Sequence, residues 1–303
     1  MWLIDLDGGA PTVTPDDVVL VRADAITTDP RVAAAIRKWQ NIGCLTVLFD
    51  PDPRATVGAH MRHPQRPVIE QVESFDLVVL YGDDATASRR LATAYEDHGA
   101  PCCIVLEPAV NADRFRPSRR DDRYVASVAW LGRRSRDEGG LWDAFVQAAA
   151  ARPQFRFIAG GPDQADTVPP NLRFVEYTAH VGLACAVSAD LVVVPTDAGA
   201  DAAPVTSRLL AAAATGACIV TDAVTDATQI LPPGRAFFTA TDARDLLRCI
   251  DSLDPPTARR VGGNARSHVL HHHVFDERVA RLLRLVRPLT APGIRSSRPR
   301  SLQ

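Results

Sequence analysis

A single lysine, Lys38, stands among the 34 lysine and arginine residues of this 303-residue chain, so arginine carries nearly all of its positive charge. An excess of either sign is missing too: 36 acidic residues leave a formal net charge of -2. That balance excludes the strongly basic surface of a nucleic-acid or polybasic membrane binder, while leaving local arginine clusters free to hold small anions. No Cys-x-x-Cys pair occurs among Cys44, Cys102, Cys103, Cys185, Cys218 and Cys249. Zinc ribbons and a disulfide framework are thereby removed, and buried free thiols in a reducing cytoplasm are expected. No apolar run reaches the roughly 18 residues that span a bilayer, and the start of the chain lacks the pattern of a signal peptide. A soluble, cytoplasmic protein without an integral membrane segment is the expectation. Gly-x-Ser-x-Gly, a P-loop and a complete dinucleotide fingerprint are also absent, so the sequence motifs of those three site types are excluded.

What is present is 46% hydrophobic residues, arranged as short apolar runs that alternate with helical patterns. Candidate strands are residues 2–6, 18–21, 45–49, 76–81 and 102–106, with helical segments near 31–41 and 85–98. The polar, proline-bounded stretch EPAVNADRFRPSRRDDR breaks the pattern. Alternation then restarts with strands at 127–132, 155–160, 172–177, 190–196, 217–222 and 236–240, and helices near 140–151, 206–215 and 242–253. Val279, Leu282, Leu283 and Val286 follow at helical spacing. The expected fold is α/β, with two doubly wound Rossmann-like domains facing a cleft. Their bounds are residues 1–108 and 124–287, joined by a linker at 109–123 and followed by a disordered tail at 288–303.

Ligands of open parallel sheets sit beyond the carboxyl ends of the strands, where helix N-termini offer unpaired N–H groups to anions. Three segments qualify. Gly132, Arg133 and Arg134 close the first strand of the later domain, combining backbone access with forked guanidinium donors. Gly160, Gly161 and Pro162 form a tight turn after the next strand. Thr206, Ser207 and Arg208 open the small-residue helix that stops at Gly216; either hydroxyl residue can cap it, and the three can cradle a phosphate. Each has a plain alternative: a solvated arginine loop, a structural glycine turn, and a capped helix whose Arg208 pairs with Asp197 or Asp201.

The order VASVAWLGRR, FRFIAGGPD, SADLVVVPTD, APVTSRLLAAAATGACIVTD resembles the C-terminal half of GT-B glycosyltransferases of the group 1 type, and AVNADRFRP resembles the connection between their two domains. The branch that looks most similar is the one related to spore-maturation glycosyltransferase-like proteins. The resemblance spans roughly residues 100–287. It implies sugar transfer from a nucleotide-diphosphate sugar to an unidentified acceptor, with retention, without cofactor and without bound metal. In that picture Arg133 and Arg208 stabilise the departing diphosphate, and Gly132, Arg134, Gly160, Gly161, Pro162, Asp201, Thr206 and Ser207 bind the donor.

Three departures stand against the family pattern. Glu138, before Gly139, falls where the resemblance implies a lysine, and Ala203 and Ala211 fall where it implies two acidic residues, the second of them for the ribose. Asp201 is the available substitute. A second reading is therefore a catalytically degenerate protein that keeps the fold to bind a ligand or partner. A sugar-nucleotide epimerase would need acid and base groups that the sequence does not reveal. Other features read as structural: Asp50 and Asp52 in FDPDP as turn residues, His60 and His63 as loop residues able to touch an acceptor, and His271, His272 and His273 as diverging side chains rather than metal ligands.

Overall fold

The computed structural model describes residues 2–3, 13–15, 17–23, 26, 31–62, 71–82, 85–133, 140–161, 168–176, 178–195, 205–222 and 224–290. They form two compact units, residues 1–107 with 278–303, and residues 108–277.

The first unit is a parallel sheet of β1 (Trp2–Leu3), β2 (Val18–Arg22), β3 (Leu45–Asp50), β4 (Leu77–Tyr81) and β5 (Cys103–Leu106), paired in that order. Its helices are α1 (Arg31–Ile42), α2 (Pro53–Arg62) and α3 (Ala85–Asp97). Successive residues of a strand point to opposite faces, and both faces here are apolar, which is why the strands read as continuous runs. Val19, Val21, Leu48, Val78 and Leu80 pack with Ile36 and Trp39 of α1 and Tyr95 of α3. Val18, Leu20, Val47, Leu77 and Val79 face the other way and meet Leu282 and Val286.

Those two residues belong to α10 (Phe275–Val286), the helix that sequence division carries with residues 124–287. Its apolar stripe completes the first unit instead, covering the sheet's second face together with Leu289 just beyond it. The attachment is also polar. Arg281 Nη1 lies 2.7 Å from Glu107 Oε2, and Arg278 Nε donates to the Glu107 carbonyl at 2.9 Å.

The second unit is a parallel sheet in the order β11-β10-β9-β6-β7-β8. Its strands are β6 (Ala126–Arg133), β7 (Phe157–Gly160), β8 (Leu172–Val175), β9 (Ala189–Val193), β10 (Ile219–Thr221) and β11 (Phe238–Thr239). The helices are α4 (Leu141–Ala151), α5 (Ala179–Ser188), α6 (Val205–Ala214), α7 (Val224–Ile230), α8 (Ala243–Ser252) and α9 (Pro255–His272). On one face Val128 and Trp130 pack with Trp142 and Phe145 of α4; on the other, Ala129 and Leu131 pack with Leu209 and Leu210 of α6. Winding runs outward from β6 through β7 to β8, then returns to place β9 on the other flank of β6. The order therefore reverses between β6 and β9.

Helices α2, α5 and α7 have no counterpart in the sequence reading, and α9 is legible there only at its histidine end. α5 is apolar apart from His180 and Ser188 and lacks a helical period, while Gly262 and Gly263 interrupt α9 as breakers would. Gly262 has a packing reason: a Cβ on it would lie 2.0 Å from the Gly216 carbonyl oxygen, so α9 rests directly on the turn that ends α6. Gly263 faces open space.

The two glycines thus predict opposite effects in urea unfolding. Gly262→Ala overpacks a backbone contact and is expected to cost about 1–3 kcal/mol, whereas Gly263→Ala gains helix propensity and is expected to stabilise by about 0.5–1 kcal/mol. A pH effect follows from Glu107. Burial raises its pKa, but its own backbone hydrogen bond and the Arg281 and Arg278 charges outweigh burial and hold it below the ordinary 4.5. A depressed folded pKa gives stability that is present above the unfolded value and lost as pH falls through the folded one. The stability difference between wild type and Glu107→Gln, no more than about 1 kcal/mol for so exposed a pair, is expected at pH 7 and should vanish well below pH 4.5.

Candidate functional site

The reversal between β6 and β9 sets a topological switch point at the carboxyl ends of these strands, the position where parallel sheets take ligands. Here the end of β6 is irregular. Between Trp130 and Arg133 it advances three residues while β7 advances one, from Ala159 to Gly160, so Leu131 and Gly132 bulge from the ladder. Bulges beside functional sites re-aim the chain. The consequence in this sheet is a carbonyl at Leu131 that accepts from Arg208 Nη1 at 3.2 Å. Arg208 is buried, with 6% of its surface exposed, and its guanidinium keeps its charge at any physiological pH.

That contact brings the first turn of α6 to the end of β6. The helix begins at Val205, one residue earlier than its expected start, so Thr206 and Ser207 lie inside its first turn and neither is the cap. Their N–H groups are among the four at a helix start that lack an intrahelical acceptor. Thr206 is buried and Ser207 half-buried. Gly160 pairs directly with Arg133 in the ladder, and both Gly160 and Gly132 are buried. Gly161 has φ +136°, a conformation that favours glycine, and donates its N–H to the Val175 carbonyl at 2.9 Å. This turn therefore has a structural use within the sheet. Arg134, Glu138, Pro162, Asp197, Asp201 and Ala203, and the side chain of Arg133, lie outside the described residues. The structure thus ties Arg208, which follows Thr206 and Ser207 in α6, to the bulged end of β6, where Gly132 lies and where Arg133 pairs with Gly160 of β7. Ala211, three residues and under one turn beyond Arg208 in α6, is half-buried and offers no hydrogen-bonding side chain.

Several other expectations change. Asp50 is the last residue of β3, 1% exposed, rather than a turn residue. It accepts from Tyr95 Oη at 2.5 Å and from the Asp52 N–H at 2.9 Å. Asp52 accepts from the Ala55 N–H at 3.1 Å and caps α2, whose first residue is Pro53. The FDPDP run is thus a strand end, a cap and a helix start. His60 lies on α2 and not in a loop; its ring is 4.9 Å from that of His98, and its buried Nδ1 has no hydrogen-bond partner. His63 lies outside the described residues. Of the histidine run, His271 and His272 end α9, and His273 is buried as its C-cap, its N–H donating to the Val269 carbonyl at 2.8 Å. Sequence reading missed His268, whose ring lies 4.6 Å from that of His272 one turn on; the spacing of four residues was the signal. Cys44, Cys185 and Cys218 are buried, but Cys102 is exposed.

Burial raises the pKa of Asp50 against the lowering effect of Tyr95 and Thr56. Tyr95→Phe removes a donor from a buried carboxylate and is expected to cost about 1–3 kcal/mol. A folded pKa above the unfolded 3.8 means that the folded state gains stability as pH falls through it, so the cost should be largest near neutrality and shrink in acid. Urea midpoints of both proteins across pH check this.

The glycosyl transferase-like family model matches residues 133–284, just over half of the chain. No curated protein matches the sequence significantly. Among solved structures, sucrose-phosphate synthase from Thermosynechococcus elongatus is similar with a TM-score of 0.57 at 18% identity, over 90% of this chain and 73% of that one. A glycosyltransferase from Rickettsia africae gives a TM-score of 0.57 at 12% identity, over 91% and 77%. HepE from Anabaena, in complex with UDP and glucose, gives 0.53 at 14% identity, over 88% and 91%. The parallel sheets of the two units match the GT-B architecture of these enzymes. Among the described residues no helix is long and apolar enough to cross a membrane, and no group of three or more side chains could hold a metal ion. By the span of its own family match, this chain belongs to the glycosyl transferase-like family.

Proposed function

We propose that the chain transfers a sugar from a nucleotide-diphosphate sugar to an acceptor, and that the diphosphate lies at the ends of β6 and β9. The observation that carries this reading is the buried guanidinium of Arg208, set on the bulged end of β6 beside the first turn of α6. Negative charge grows on the diphosphate as the sugar departs. A fixed cation and the positive end of the α6 dipole oppose that growth without having to reorganise. Arg133 and Arg134 are assigned the second positive charge and Asp201 the ribose, with Gly132, Gly160, Gly161 and Pro162 allowing close approach of the backbone. HepE in complex with UDP and glucose supports a donor of this class. No step requires a metal, and retention of configuration is assigned by family likeness. Within the family we place the chain with the spore-maturation-like branch, on Arg208, Leu210 and the Ala214-x-Gly216 stop. The free thiols favour action in the cytoplasm.

Ala211 favours a second reading, binding without turnover. Loss of one hydrogen bond to a charged acceptor weakens binding by about 1.5–3 kcal/mol, which lowers occupancy without abolishing it. Calorimetric titration with UDP, GDP and ADP separates the cases. Saturable binding of at least one nucleotide is expected, weakened tenfold or more by Arg208→Ala. Release of that nucleotide from its glucose conjugate, unaffected by EDTA, would establish transfer chemistry or its hydrolytic side reaction; binding without release would establish the second reading. Silence towards all three nucleotides would remove both.

A further inference from the structure

Two histidines of the first unit meet across different helices. His60 lies in the last turn of α2, His98 immediately follows α3, and their ring centroids are 4.9 Å apart with the ring planes at 88°. The helices that carry them are anchored close by. Tyr95, one turn before His98, donates to the buried Asp50 carboxyl at 2.5 Å, and Thr56, one turn before His60, faces the same carboxyl. The rings are therefore set by helix ends joined through a common buried group.

Their nitrogens are differently engaged. His98 Nδ1 lies 2.7 Å from the Ala94 carbonyl, which can only accept, so in the neutral ring this nitrogen carries the proton and Nε2 keeps its lone pair. A backbone carbonyl on one nitrogen is what commonly orients a histidine that ligates a metal through the other. His60 Nδ1 is buried and has no hydrogen-bond partner. Packing of the rings leaves that nitrogen unsatisfied; a buried polar atom in this state calls for a partner, and an ion supplies one. Both rings also stand at the carboxyl ends of helices, where the macrodipole favours a cation.

We infer that His60 and His98 together bind a divalent transition metal of the Zn²⁺ class, bridging α2 to α3. Two imidazoles that each coordinate zinc through one nitrogen at about 2.0–2.1 Å, at a tetrahedral angle, have their centres roughly 5 Å apart, and the observed separation is 4.9 Å. Imidazole suits Zn²⁺, Ni²⁺ and Cu²⁺, whereas Mg²⁺ and Ca²⁺ seek oxygen. Among the described residues no third protein ligand joins the pair. Water completes the coordination, and the affinity is micromolar rather than that of a closed structural site. His98 is exposed, which gives the metal a way in. The metal acts as a clamp within the first unit; the groups assigned to the donor belong to the second unit, and sugar transfer does not call on it.

The test is calorimetric titration of the untagged full chain, first dialysed against EDTA, with Zn²⁺, Ni²⁺ and Mg²⁺, each to about 1 mM, well above micromolar affinities. Binding of Zn²⁺ and Ni²⁺ but not Mg²⁺ is expected, weakened roughly tenfold or more in His60→Gln and in His98→Gln. His268→Gln, on α9, and Arg208→Ala should each leave this binding within twofold of wild type. Zn²⁺ should also raise the urea midpoint of wild type and leave that of His98→Gln in place, as a bridge between two helices requires. His98→Cys exchanges one zinc ligand for another and should keep the site, and its Co²⁺ complex should gain a thiolate charge-transfer band absent from wild type. Because residue 98 is exposed, its two variants decide the outcome even where His60→Gln fails to fold. The inference is overturned if neither Zn²⁺ nor Ni²⁺ binds, if Mg²⁺ binds as tightly, or if the folded His60 and His98 variants bind as wild type does. It is equally overturned if all zinc binding is lost with His268→Gln, or if Zn²⁺ leaves the wild-type midpoint unmoved.

Discussion

The donor reading depends on one hydrogen bond, from the Arg208 guanidinium to the carbonyl of Leu131. A carbonyl within a regular ladder is committed to its neighbouring strand, and a buried cation needs acceptors around it. The bulge in β6 meets both requirements together, because it takes Leu131 and Gly132 out of register with β7 just where the strand leaves the core. Over a regular strand end Arg208 would lose this acceptor. The strand irregularity, the helix start and the positive charge are in this sense a single feature.

The same economy of positions governs the first unit. Its five strands follow one another in order, with no reversal among the described residues, and one face of the sheet is covered by α1 and α3 from the intervening segments. A sheet of Val and Leu on both faces cannot leave the other side to water. The chain meets that demand late, with Leu282 and Val286 of α10, after the whole second unit has been built. Cohesion of the first unit therefore requires residues that are far apart in sequence, and the Glu107 contacts with Arg278 and Arg281 lie where these two chain segments meet.

Much of this was legible in the residues. Apolar runs located the strands of both sheets, since each buried run is bounded by polar turns, and the positive-φ Gly216 marked the end of α6 as a C-terminal glycine should. The placement of Gly132 and Gly160 at strand ends and of Arg208 near a helix start was also readable from the alternation of runs. What could not be read was direction. Nothing in VAWLGRR announces that two residues leave the ladder, and nothing in FDPDP separates a buried Asp50 bonded to Tyr95 from an exposed turn, because the partner is 45 residues away. Helix α2 escaped notice for a related reason: PRATVGAHMR has no apolar stripe, and its start is declared by Asp52 and Pro53, residues equally at home in a turn.

Glycine shows most clearly why sequence and structure part company at such points. Gly216 is needed for its backbone angle, a local property, and so its meaning travels with the sequence. Gly262 has ordinary helical geometry and is needed for what lies opposite, the carbonyl of Gly216 itself, where any Cβ would intrude. Its neighbour Gly263 meets nothing and could be replaced. Read along the chain, Gly262 and Gly263 are an identical pair that argues for a break in the helix. Only the packing of α9 on α6 distinguishes a residue that permits the contact from one that merely tolerates the helix, and the same helix reaches the turn before β11, where Asn264 Nδ2 donates to the Arg235 carbonyl.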